Sequence, residues 1–157
     1  RQLLVSGDKD AWEPLAETLL FYAARVQHVA RVIQPALAAG KTVICDRFAD
    51  STRVYQGIGK HIHPAFVDAL HQLTLGNIRP DRTLILDIAP AFGLARAQAR
   101  RGDETRFETM DIGFHEQVRA GFLEIARAEP ARCRVVDASQ DAATVHQKII
   151  DSLQLFG

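Results

Sequence analysis

Three short runs of apolar, largely β-branched residues, each closed by an aspartate, constrain this chain most: Thr42-Val43-Ile44-Cys45-Asp46, Thr83-Leu84-Ile85-Leu86-Asp87 and Arg134-Val135-Val136-Asp137. Continuous apolarity over so few residues suits strands covered on both faces, the condition of a parallel sheet. Helical periodicity fills the intervals. Leu15, Leu19, Tyr22, Val26, Val29, Ile33 and Leu37 mark one long helix, closed by Ala39-Gly40. Further helical patterns run over roughly 64–75, 90–101, 111–128 and 142–156, with Pro64 and Pro90 where a helix start tolerates proline. Helices alternating with short buried strands mean an α/β domain on a parallel sheet.

With 157 residues, 47% of them hydrophobic and 24% charged, one core can form without metals or cross-links. Neither a repeat nor a linker divides the chain, so a single domain over 1–157 is expected. The 19 Lys and Arg residues balance 19 Asp and Glu, which leaves no broad positive footprint for nucleic acid or an anionic membrane. Cys45 and Cys133 lack metal-type spacing, and no apolar run is long enough for a membrane span or a signal peptide. A cytoplasmic protein with a small or local partner is the expectation. Of the basic residues 15 are Arg, whose planar fork suits phosphate.

Ligands of open parallel sheets bind beyond the carboxyl ends of the strands, which puts Asp46, Asp87 and Asp137 on the functional edge. Gly40-Lys41-Thr42 has the look of a phosphate loop and fails as one. Pro35 stands where the first glycine belongs, and the order helix, Gly-Lys-Thr, strand reverses the strand, loop, helix order of a phosphate cradle. Lys41 is therefore expected on the surface of a turn. The richer constellation starts at Asp46 and runs through Arg47, Ser51, Thr52, Tyr55 and Gln56. Arg47 can hold a phosphate, Asp46 a magnesium ion or its waters, and the four that follow a sugar or base. A plain Asp46–Arg47 salt bridge accounts equally for the first two.

Residues 46–57, DRFADSTRVYQG, resemble the D-R-x-x-x-S-x-x-A-Y-Q-G motif of bacterial thymidylate kinases. Residues 17–28, ETLLFYAARVQH, resemble that family's nucleobase-binding helix; residues 79–87, RPDRTLILD, its P-D-x-T-x-x-L-D strand; and residues 96–108, ending in Arg106-Phe107-Glu108, its LID. The motifs stand in order over nearly the whole chain. The resemblance implies a three-layer P-loop kinase fold and phosphorylation of dTMP to dTDP with ATP and Mg2+, for dTTP synthesis, in a homodimer. It implies that Phe21 stacks on thymine and that Arg25 donates hydrogen bonds to the base. Arg47 would hold the dTMP phosphate, and Tyr55 would pack near the sugar with Ser51, Thr52 and Gln56 in the same pocket; Glu108 is a further substrate-binding candidate. Asp46, Arg47, Arg100 and Arg106 are the implied catalytic residues, with Asp46 reaching the metal through water. Arg100, Arg106 and Asp137 are implied on the ATP side. The LID, over about 96–110, would bring arginines to the transferring phosphoryl group only on closure.

The chain departs from the family pattern at Thr105, where an Asp is usual, at Ile58, which replaces a Gly, and at Val54, which replaces an Ala. More consequentially, the 157 residues contain no G-x-x-x-x-G-K-[ST] element. The family's sheet order is 2-3-1-4-5, and the three runs correspond to strands 3, 4 and 5. The first strands, including the central one, are thus expected to be missing from this chain, and an N-terminal extension with the phosphate loop is expected in the natural protein. Taken alone, the 157 residues allow an alternative: a dTMP- or nucleotide-binding fragment without phosphotransfer.

Overall fold

The computed structural model describes Leu4, residues 11–99 and residues 107–154, in two compact units that meet in sequence between Arg79 and Pro80. In the first unit, helix α1 starts at Pro14, whose fixed φ and missing N–H suit a first helical turn. It runs as Pro14–His28, a π-helical turn Val29–Ile33, and Gln34–Ala38. The wide turn bonds the Gln34 N–H to the Val29 carbonyl five residues back. Pro35 follows at once and has no N–H for the usual i→i−4 bond, so the backbone is already free of α-helical pairing there.

Gly40 ends α1 at φ 71°, the left-handed region that favours glycine. Its N–H reaches the Leu37 carbonyl at 2.9 Å and the Lys41 N–H the Ala36 carbonyl at 3.0 Å, the two bonds of a Schellman cap. Gly40-Lys41-Thr42 therefore closes a helix, and Lys41 is exposed as expected.

Residues 42–45 differ from the expected strand. Val43 and Cys45 pack against the core, but Ile44 between them is 96% exposed, and the segment joins no ladder among the described residues. A strand is defined by its neighbour, and the described residues supply none beside this run. Helix α2 follows as Ala49–Thr52 and continues into a second π-helical turn, Arg53–Ile58, with the Gly59 N–H on the Val54 carbonyl at 2.9 Å. Helix α3 covers Pro64–Leu75, the span its periodicity indicated. Tyr22, Val29, Ile33, Phe48, Ala49, Val67 and Leu75 form the core of this unit. Burying each of the larger ones is worth about 1.5–3 kcal/mol over leaving it exposed.

The second unit is an α/β layer pair. Strand β1 is Thr83–Asp87, α4 is Pro90–Ala99, α5 is Ile112–Ala128, β2 is Cys133–Asp137 and α6 is Ala142–Gln154. The strands pair in parallel, in register from Thr83 with Cys133 to Asp87 with Asp137, so both aspartates finish on one edge. Helix α5 packs on both strands and α6 on β2. Asp111 caps α5 by accepting the Phe114 N–H at 2.8 Å. Ile85, Phe114, Val118, Ile125, Cys133 and Val136 are buried between the layers. No helix among the described residues is long and apolar enough to cross a membrane.

Candidate functional site

Phe21 and Arg25 lie one turn apart on α1, so they share a helix face. Phe21 is half-buried. Arg25 turns inward and ties α1 to the start of α2: its Nη2 donates to the Phe48 carbonyl at 3.2 Å and to Thr52 Oγ1 at 2.8 Å. Its Cζ lies 4.7 Å from the centre of the Tyr22 ring and 5.5 Å from that of Phe48. The other terminal nitrogen, Nη1, is buried without a partner among the described residues. Burial lowers the Arg25 pKa from its ordinary value, with Tyr22 acting in the opposite direction. A guanidinium stays protonated in proteins, so this buried N–H is a donor that lacks an acceptor, a condition folded proteins rarely leave unanswered.

Asp46 and Arg47 are both exposed and form no ion pair with each other, which sets aside the plain salt bridge. Arg47 holds φ at 66°, a strained value for a residue with a Cβ. Its guanidinium lies 4.3 Å over the Tyr55 ring. Stacking engages the flat face of the guanidinium and leaves its N–H edge able to bind an anion. Ser51 is half-buried, with its backbone N–H on the Phe48 carbonyl, and Thr52 is buried beneath Arg25.

Gln56 behaves differently from its neighbours. It is 2% exposed, and its amide nitrogen donates to Glu17 Oε1 at 2.7 Å. Lys60 pairs with the other oxygen, Oε2, at 3.0 Å. Neither Glu17 nor Lys60 stood out from the sequence as a functional residue. A Glu in the first turn of a helix reads as compensation of the helix dipole on a solvated face.

On the edge of the second unit both strand-terminal carboxylates are occupied. Arg119 Nε and Nη2 grip the two oxygens of Asp87 at 2.6 and 2.8 Å, and that hydrogen bonding holds its carboxyl below the usual range. Asp137 accepts the Lys148 ammonium at 2.8 Å and the Ser139 N–H at 2.9 Å, and it too is held well below the usual carboxylate range, chiefly by Lys148. Arg96, on α4, donates to the carbonyls of Ala138, Ser139 and Gln140 at 2.8, 2.7 and 3.2 Å. Glu108 is half-buried in the turn before α5. Arg100, Arg101, Thr105 and Arg106 lie outside the described residues. Among the described residues no group of three His, Cys, Asp or Glu is placed to hold a metal ion, so Asp46 would offer one carboxylate only.

The family model described as Thymidylate kinase matches residues 1–149. The chain is 52% identical over 151 residues to a thymidylate kinase of Caulobacter vibrioides, covering 96% of this chain and 72% of that one. It is 50% identical over 153 residues to one of Dinoroseobacter shibae, covering 98% and 73%. The crystal structure of thymidylate kinase from Ehrlichia chaffeensis aligns with a TM-score of 0.73 at 35% identity, over 92% of this chain and 67% of that one.

Proposed function

We infer the working of the site from one premise: the chain belongs to the thymidylate kinase family, and its activity is that of a dTMP kinase, a phosphotransferase on a P-loop kinase fold. The donor we propose is ATP with Mg2+, in a cytoplasmic homodimer, with residues 1–157 belonging to one kinase domain and a LID over about 96–110. Exposed apolar side chains along α1, among them Leu15, Leu19, Val26 and Leu37, support that helix as the dimer surface.

One feature carries the acceptor-site reading: the buried, unpartnered Nη1 of Arg25, one turn from Phe21. A pyrimidine that stacks on Phe21 can present a ring carbonyl to that nitrogen. Arg25 would then read the base with one nitrogen while the other holds Thr52 and the Phe48 carbonyl in place. Arg47, steadied by Tyr55, would bind the dTMP phosphate with its N–H edge. Ser51, Thr52, Tyr55 and Gln56 complete the proposed pocket, and Glu108 is proposed as a further substrate-binding residue.

Asp46 is the residue that would hold a magnesium ion through its waters; such an ion neutralises charge on transferring phosphates. One exposed carboxylate fits that water-mediated mode. Gly40-Lys41-Thr42 is spent on capping α1 and does not cradle a triphosphate. Arg100 and Arg106 would meet developing phosphoryl charge, and Asp137 would lie on the donor side.

The test is titration calorimetry with dTMP on the parent chain and on Arg25→Lys. A charged hydrogen bond is worth about 1.5–3 kcal/mol, so loss of the fork should weaken dTMP binding by roughly tenfold or more. Equal dissociation constants would reject the role given to Arg25.

A further inference from the structure

Glu17 lies one turn before Phe21 and two before Arg25 on α1, and its side chain is 0% exposed. Both of its oxygens are engaged from the π-helical turn and the residues after it, by Gln56 at 2.7 Å and by Lys60 at 3.0 Å. The Lys60 side chain is itself only 11% exposed. An ion pair so withdrawn from water gains little net stability, because desolvating the two charges consumes most of their attraction. What it does specify is geometry. A carboxylate with both oxygens committed holds its donors at set distances and directions.

Those donors belong to the segment that shapes the acceptor site. Tyr55, next to Gln56, carries the Arg47 guanidinium on its ring, and Thr52, four residues earlier, receives Arg25. Two staples therefore join α1 to the same segment, Arg25 to Thr52 and Glu17 to Gln56. The first belongs to the proposed base-binding site, and the second joins Gln56 of that site to Glu17, which stands outside it. The turn between them is the kind that needs holding: π-helical backbone is rare, and it persists where surrounding contacts favour it.

The geometry points to Glu17 as a positioning residue for the nucleoside monophosphate site. Through Gln56 and Lys60 it sets the register of the π turn against α1, and with it the place of Thr52 and Tyr55 relative to Phe21 and Arg25. Glu17 itself touches no nucleotide. This inference rests on the acceptor-site reading above.

Glu17→Gln keeps the shape and a hydrogen-bond acceptor for Gln56 but removes the charge that faces Lys60. Lys60→Met is the second variant, at a more accessible position. In calorimetry on the full chain each is expected to raise the dTMP dissociation constant about five- to tenfold. Without ligand, the Arg25 Nε–H resonance is expected to shift in each variant, a signature that lost stability alone does not produce. A lower melting temperature with unchanged dTMP affinity and an unmoved Arg25 resonance would overturn the inference. Should Glu17→Gln fail to fold, Lys60→Met decides by the same criterion. If the parent chain itself does not bind dTMP, the acceptor-site reading falls and takes this inference with it; if the parent binds and both variants bind equally, only the positioning role is lost.

Discussion

At His71, on α3, burial and chemistry are in conflict. The residue is 6% exposed, and neither ring nitrogen has a hydrogen-bond partner among the described residues; the Tyr22 ring lies edge-on to it at 6.2 Å. Burial first, then the charges of Arg79 and Arg25, lower its pKa below 6.5, while Asp50 and Asp68 act the other way. The folded chain thus holds this histidine neutral, whereas the unfolded chain protonates it once the pH drops below about 6.5. Below that pH the unfolded state binds the extra proton, so stability is complete above it and declines as the pH falls. Urea midpoints should be constant between pH 8 and 7 and fall by pH 5.5, and His71→Leu should reduce that fall. His115 is shifted in the same direction by burial, so part of the slope should survive in the variant. An equal slope in parent and variant would refute the assignment. Single residues also mark the limit of what the chain's text disclosed. Arg25 and Arg47 stand in motifs and were found there. Glu17 was not, because a burial of 0% beside Gln56 and Lys60 leaves no trace in local spacing.

At the level of elements, α3 is legible in the sequence and α2 is not. Helix α3 matches its expected 64–75, since Val67, His71 and Leu75 recur at helical spacing on its buried side. Helix α2 escaped because its buried residues include Thr52 and Gln56, at 1% and 2% exposure, so its inward face carries hydrogen bonds in place of an apolar stripe. Helix α5 has the expected start, and its cap is testable. Asp111→Ala removes the acceptor for the Phe114 N–H and should cost about 1 kcal/mol, seen as a melting temperature lower by a few degrees with dTMP affinity unchanged. Leu75→Ala, at the end of α3 in the core of the first unit, should cost about 2–5 kcal/mol by chemical denaturation, several times the effect of the cap. A larger loss at Asp111 than at Leu75 would contradict the packing described.

For the whole molecule, the apolar side chains left exposed along α1 bear on assembly. Leu15, Leu19 and Leu37 are 48%, 46% and 51% exposed, although their spacing is that of a buried helix face. Sedimentation equilibrium is expected to report twice the chain mass, and Leu19→Glu to shift the population to monomer; a monomeric parent would reject the proposed dimer. By itself the sequence determined the α/β class, most helix positions, the Asp-ended runs and the arginines proposed for the acceptor site. These are properties of local periodicity and contiguous motifs, which a chain carries whatever it packs against. Only the tertiary structure decided that residues 42–45 join no ladder among the described residues while 83–87 and 133–137 pair in register, and that Asp87 and Asp137 take Arg119 and Lys148 as partners. The same holds for Glu17, which meets Gln56 and Lys60 across 39 and 43 residues of chain. A ladder or a buried ion pair derives its free energy from the group opposite, and which group stands opposite is settled only when distant segments are brought together.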